Sequence, residues 1–176
     1  MQPLLRAWSE TDVGCKREIN QDSVLIDLKL GLYIVADGMG GHRGGEVASR
    51  LAVETVQELV KKEKPSLKSR QDARNLLDLV FREASRRIFS KSQSNDENLS
   101  GMGTTMVVAF HFGPTMFFGN VGDSRAYLFN SPYLWQLTED HSLLNEQIRA
   151  GYLREEDATR FTGRNVITRR DRKSVV

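Results

Sequence analysis

The stretch Leu32-Tyr33-Ile34-Val35-Ala36-Asp37-Gly38 is an apolar run of β-forming residues that closes on a carboxylate and a glycine, and it reads as a buried strand running into a loop. Gly31 makes a break in front of it. Upstream, Val24, Ile26 and Leu28 alternate with Leu25, Asp27 and Lys29, which predicts a partner strand over Ser23 to Leu30. Leu4 to Val13 reads as a further extended segment. Downstream the period changes. Ala48, Leu51, Ala52, Val56, Leu59 and Val60 recur at spacings of three and four, predicting a one-sided helix from Gly45 to about Lys62, ended by Pro65. Leu77, Val80, Phe81, Ala84 and Ile88 predict a second helix from Ser69 to Ser90, paired with the first. The polar segment Ser92 to Ser100 is expected to be a mobile loop. Four more strands are predicted over Thr104 to Phe112, Thr115 to Val121, Arg125 to Phe129 and Tyr133 to Leu137, forming an antiparallel meander. After Asp140 a weaker helical pattern carries Leu143, Leu144, Ile148 and Leu153, and Asn165 to Arg169 reads as the start of one more strand. Strands, then two helices, then strands is an α+β pattern. It lacks the strand–helix alternation of a doubly wound parallel sheet.

A chain of 176 residues with 39% hydrophobic content can close one core without staples. The 25 Lys and Arg against 23 Asp and Glu leave a net charge of +2, too balanced for binding driven by phosphate neutralisation, so no nucleic-acid partner is expected. Cys15 is the only cysteine, which excludes an intrachain disulfide and a paired-cysteine zinc site, and fits a reducing compartment. No basic stretch leading into an apolar run opens the chain, and no apolar run approaches membrane-spanning length. The expectation is a cytoplasmic protein, with membrane contact not indicated in this part.

Three carboxylates stand where predicted strands end or begin: Asp22, Asp37 and Asp123. Together they suit Mg²⁺ or Mn²⁺, which prefer carboxylates, carbonyls and waters; a divalent cation would also offset the cost of placing Asp37 at the end of a buried strand. Singly, each has a simpler reading as a turn former bonded to its own backbone. The glycine cluster from Gly38 to Gly45 fits a phosphate-cradling loop poorly. Arg43 stands where the third glycine of a dinucleotide fingerprint belongs, and no Gly-Lys-Ser/Thr follows. Gly40 and Gly41 more simply allow the backbone to turn and approach a metal cluster closely.

Five segments follow one another along the chain: Arg17-x-x-Asn20-Gln21-Asp22, Ala36-Asp37-Gly38-Met39-Gly40-Gly41-His42, Gly101-Met102-Gly103-Thr104-Thr105, Gly119-Asn120-Val121-Gly122-Asp123-Ser124-Arg125 and Thr138-Glu139-Asp140-His141-Ser142. In order and spacing they resemble the motifs of bacterial PPM-type (protein phosphatase 2C-like) metal-dependent serine/threonine phosphatases. The resemblance runs over nearly all of residues 11 to 169. It implies a β-sandwich of two antiparallel sheets flanked by helix pairs, with a metal site at one end. It also implies that Asp37 bridges two Mg²⁺ or Mn²⁺ ions, that the Gly38 carbonyl binds one of them, and that Asp22 and Gln21 hold metal-bound waters. Arg17 would bind the substrate phosphate, for which a guanidinium fork is well shaped. Asp123 would serve a third, weaker ion, and Leu143 to Arg164 would form a flap beside the site. The implied reaction is hydrolysis of phosphoserine and phosphothreonine on proteins by a metal-activated water, with no covalent intermediate. The implied partners are phosphorylated proteins, opposing a serine/threonine kinase. A general acid is not assignable: Met39 follows Asp37-Gly38 where some relatives carry His, and His42 is expected to be structural.

Beyond Arg169 the resemblance would continue with Ser-Asp-Gly and Asp-Asn segments that complete the metal shell, and neither is present. Residues 1 to 170 are therefore expected to be a partial catalytic domain. Asp171-Arg172-Lys173-Ser174-Val175-Val176 matches one reading frame of a common sequencing adapter, GATCGGAAGAGCGTCGTG with a TAG stop, and is expected to be non-native; the other reading is a genuine basic tail. The polypeptide as written is expected to be inactive and to expose apolar faces and sheet edges. Membrane or regulatory domains after this part stay open, as does a phosphatase-like binding module without turnover.

Overall fold

The computed structural model describes residues 5–41, 43–163 and 166–168. Strand β1 (Asp22–Asp27) turns through Leu28–Gly31 into β2 (Leu32–Met39). Gly31 takes φ +62° in that turn, where an added Cβ would lie 2.9 Å from the His111 carbonyl oxygen. Helix α1 (Gly44–Glu63) and helix α2 (Arg70–Ser92) follow, then β3 (Gly103–Thr104), β4 (Met106–Phe112), β5 (Thr115–Val121), β6 (Tyr127–Asn130), β7 (Tyr133–Gln136) and the short helix α3 (Leu143–Arg149). The main sheet is antiparallel in the order β1-β2-β4-β5, with β3 pairing the far end of β2; β6 and β7 form a separate hairpin.

The end of α1 and the start of α2 have local causes. The side chain of Ser69 accepts from the Asp72 N–H while the Asp72 carboxylate accepts from the Ser69 N–H, a capping box that starts α2 one residue after the predicted Ser69. Pro65 enters a 3-10 turn just after α1 and stops its continuation. Lys64 then reaches across: its ammonium donates to the Leu30 carbonyl at 2.7 Å and the Lys29 carbonyl at 3.3 Å, over the Phe110 ring. The far end of α1 is thereby fastened to the β1–β2 turn.

The helix pair covers one face of the sheet. Ala48, Ala52, Val56 and Val60 of α1 pack in one core with Leu32, Ile34 and Ala36 of β2, Val108 and Phe110 of β4, and Leu77, Val80 and Ala84 of α2. Phe81 of α2 leaves no room for a side chain at Gly119 of β5, where a Cβ would lie 2.6 Å from its ring. The opposite face carries Val24, Tyr33, Val35, Asp37 and Ala109, and Val35 is half exposed.

Several expectations need correction. Leu5 to Val13 forms no strand; Trp8 is 81% exposed, and among the described residues no strand pairs with this segment to satisfy a ladder. The meander does not run on from β5, because among the described residues β6 and β7 pair only with each other beyond the Gly122–Arg125 turn. Ser92 to Ser100 is not simply a loop: a 3-10 turn at Glu97–Leu99 buries Leu99 in the core. β2 continues through Asp37 to Met39, and the alternation of the pleat turns Asp37 to the exposed face rather than into the core. Near Asn165, Ile167 makes an isolated antiparallel bridge with Ser142, while Arg169, Arg170 and the tail from Asp171 lie outside the described residues. The expected apolar exposure is present on the β6–β7 hairpin, where Tyr127, Leu128, Phe129, Tyr133, Leu134 and Trp135 are all exposed.

Candidate active site

The β1–β2 register places Asp22 directly opposite Asp37, so two carboxylates project from neighbouring strands on one face. Each is exposed at its tip, and their carboxyl groups lie within hydrogen-bonding reach. Partial burial against the strands, the Asp22 charge and the hydrogen bond with Asp22 push the Asp37 carboxyl above the ordinary carboxylate range. The Arg17 guanidinium pulls it down, and the Asp123 charge raises it further. These residues therefore converge electrically although they come from separate segments.

The backbone around them is tightly drawn in. Asn20 Oδ1 accepts from the Asp22 N–H at 2.9 Å and fixes the entry to β1. The Gly38 N–H donates to the Gln21 carbonyl at 3.0 Å, and the buried Ser49 hydroxyl of α1 donates to the same carbonyl at 2.7 Å. A Cβ at Gly38 would lie 2.0 Å from the Gly45 carbonyl oxygen, so only glycine lets β2 meet the first turn of α1 here. Gly40 then takes φ +146°, a conformation open to glycine, and turns the chain toward α1.

Asp123 sits in the turn after β5, and that turn is held on three sides. The Arg125 Nε donates to Asp140 Oδ1 at 2.8 Å; this ion pair raises the Arg125 pKa. The His141 N–H donates to the Gly122 carbonyl at 2.9 Å, and the Ser124 hydroxyl meets that of Thr105 at 2.6 Å. The Thr138–Ser142 segment thus frames the turn that carries Asp123.

A cavity of about 680 Å³ opens over Asp37, lined also by Arg17, Gln21, Gly38 and Thr105, with Met39 and Ile167 as apolar wall. Of the residues singled out from sequence, Arg17, Gln21, Asp37 and Gly38 share this cavity. Asp22 and Asp123 are not among its lining residues and act on the Asp37 carboxyl through their charge. His42 lies outside the described residues. Sequence reasoning gave no role to Glu18, Ile19, Arg43 or Thr105, which also line the cavity. Thr105 was within reach of the sequence, since a polar β-branched residue follows Gly103-Thr104 just before an apolar strand.

The donor chemistry fits a divalent cation: all oxygen, two opposed carboxylates that repel without one, and a backbone carbonyl at Gly38 with no side chain to shield it. Among the described residues no three acidic, histidine or cysteine groups come close enough together to hold an ion by themselves.

An α+β sheet covered by a helix pair, with opposed carboxylates at the end of its β1–β2 hairpin, is the architecture of the metal-dependent protein phosphatases. Residues 16–167 match the family model for protein phosphatase 2C, and the chain belongs to that family. It is 38% identical to the serine/threonine phosphatase stp of Listeria innocua over 94% of this chain and 66% of that protein. The structure of the serine/threonine phosphatase PstP/Ppp of Mycobacterium tuberculosis superposes with a TM-score of 0.80 at 30% identity, covering 95% of this chain and 70% of that one. A structure of the PstP catalytic domain with two manganese ions superposes with a TM-score of 0.70 at 32% identity, covering 85% and 61%. The chain spans between 54% and 66% of the length of the curated relatives it matches. No helix among the described residues is long and apolar enough to cross a membrane.

Proposed function

We propose that the complete gene product hydrolyses phosphoserine and phosphothreonine on proteins, and that the cavity over Asp22 and Asp37 is its active site. The observation that carries this reading is the Asp22–Asp37 pairing across β1 and β2, with Asp37 and Arg17 lining one cavity. Two carboxylates set face to face and left exposed cost stability in themselves, and a divalent cation converts that cost into binding. The two-manganese relative supports the choice of metal.

Asp37 and the Gly38 carbonyl would hold Mg²⁺ or Mn²⁺, with Asp22 and Gln21 orienting the water around it and Asp123 serving a third, weaker ion. Such ions, when bound, make a water nucleophilic near neutral pH and neutralise charge on the phosphoryl oxygens. Arg17, close enough to act on Asp37 through its charge, offers a planar fork to two phosphate oxygens and so aligns the phosphorus over the carboxylates. Met39 and Ile167 supply the apolar part of the wall beside it.

The substrates would be phosphoproteins made by a serine/threonine kinase in the cytoplasm. The 176-residue chain alone is expected to be inactive, since its described residues hold no complete ligand set. The test is hydrolysis of p-nitrophenyl phosphate and of a phosphothreonine peptide by the complete gene product with Mn²⁺. Activity should vanish in EDTA and fall at least about a hundredfold in Asp37→Ala. Chelator-resistant turnover, or none in a folded protein shown to carry Mn²⁺, rejects the metallophosphatase reading; the second result leaves a binding module.

A further inference from the structure

We propose that Thr105 is a positioning residue for the metal site: its hydroxyl ties the Asp37 rung of β2 to the loop that carries Asp123 and so sets the distance between the two carboxylates. The inference rests on the phosphatase reading above and adds a residue that this reading does not use.

The argument begins with the sheet ladder. β2 pairs with β4 through Val35 and Val107, and with β3 through Gly38 and Thr104, in one unbroken register, so Asp37 faces Thr105. In a regular antiparallel rung of this kind the two residues would exchange both backbone bonds. Here only one is of that type: the Thr105 N–H donates to the Asp37 carbonyl at 2.9 Å. The return bond, from the Asp37 N–H, goes to the Thr105 hydroxyl oxygen at 3.2 Å. The Thr104 hydroxyl donates to the same Asp37 carbonyl at 2.9 Å. At the rung that carries the central carboxylate, a side-chain oxygen has replaced a backbone one.

That oxygen has a second partner. It lies 2.6 Å from the Ser124 hydroxyl, next in sequence to Asp123. Thr105 is 2% exposed, so neither bond competes with bulk water. Its methyl is also engaged: Gly122 takes φ +93°, and a Cβ there would lie 2.7 Å from Thr105 Cγ2. One threonine thus contacts both acidic segments, the hydroxyl through hydrogen bonds and the methyl through packing. A hydroxyl has one proton and two acceptor sites, enough to serve the Asp37 N–H and Ser124 at once. Valine keeps the shape and loses both bonds, while serine keeps the bonds and loses the methyl.

The experiment uses the complete gene product and compares wild type with Thr105→Val, Thr105→Ser and Ser124→Ala. Mn²⁺ affinity is measured by calorimetry without substrate, alongside kcat and KM for p-nitrophenyl phosphate across a Mn²⁺ titration. Thr105→Val should weaken Mn²⁺ binding about tenfold and shift the Mn²⁺ dependence of kcat by a similar factor, with KM at saturating metal little changed. Thr105→Ser should recover most of this, and Ser124→Ala should fall between. If Thr105→Val does not fold, Ser124→Ala decides, since it spares the Asp37 rung and cuts only the tie to the Asp123 loop. Wild-type Mn²⁺ affinity in Thr105→Val, equal losses in the valine and serine variants, or an unchanged affinity in Ser124→Ala overturns the inference alone. A wild-type protein that neither binds Mn²⁺ nor turns over overturns the phosphatase reading beneath it.

Discussion

The helix-covered sheet and the β6–β7 hairpin are built from the same kinds of residue and put them to different use. Phe110 of β4 is fully buried under the helix pair, stacked on Phe112 with ring centroids 6.3 Å apart. Phe129 of the β6–β7 hairpin is 67% exposed, among other large apolar side chains that also face water. The sequence pattern of both strands is apolar. What separates them is whether a second layer lies on top, and that is a property of the partner rather than of the strand.

The largest effect should come from cutting each region in the same way. Phe110→Ala is expected to destabilise the chain by about 3–5 kcal/mol in urea unfolding, whereas Phe129→Ala should change it by no more than about 0.5 kcal/mol. Comparable losses at both positions would mean that the hairpin is covered in solution.

Asp37→Asn probes the open face at its most charged point. Removing one of two directly opposed carboxylates should stabilise the chain in chelator by up to about 1 kcal/mol, read as a raised Tm. The sign follows from linkage. The folded Asp37 carboxyl keeps its proton to higher pH than in the unfolded chain, so metal-free stability falls as pH rises from the ordinary carboxylate value through the raised one. The asparagine variant should lose that slope, and the advantage should reverse once Mn²⁺ is added.

The helix side offers the opposite sign at smaller scale. Arg86 and Arg87 both bond Glu83, and Arg87 also bonds Glu58 of α1 at 2.6 Å, which links the two helices on their outer surface. Hydrogen bonding to Arg86, then to Arg87, lowers the Glu83 pKa from 4.5 to about 2. Its contribution should be complete above the unfolded value and disappear as pH falls toward about 2. Glu83→Gln should therefore lower Tm slightly near neutral pH and match wild type at the acid end. A constant difference across that range would assign the effect to packing.

Much of this was readable before any coordinates. The helices follow from a 3.6-residue period, which is local, and the strand from Thr115 to Val121 was bounded correctly because Gly113-Pro114 and Gly122 punctuate it. The segment from Leu4 to Val13 misled because its composition suits a strand while ladder formation needs a neighbour, and composition names none. The same reason hid the split between β5 and the hairpin. At the site, the carboxylates and Arg17 were visible as residue types, but the opposition of Asp22 and Asp37 depends on the register set by the Leu28–Gly31 turn. Thr105 stood inside a quoted motif with no role, since its importance lies in a rung geometry that spacing along the chain does not encode.

Helix α1 touches both ends of the β1–β2 hairpin: Gly45 abuts Gly38 at one, and Lys64, one residue past its end, grips the turn at the other. Its 20 residues make a rod about 30 Å long, so the hairpin resembles a plate bolted at both edges to one stiff bar. Prying the carboxylate pair apart then means lifting the bar. The amides of β2 should consequently exchange their hydrogens only when the whole domain opens, even though their strand presents its charged face to water.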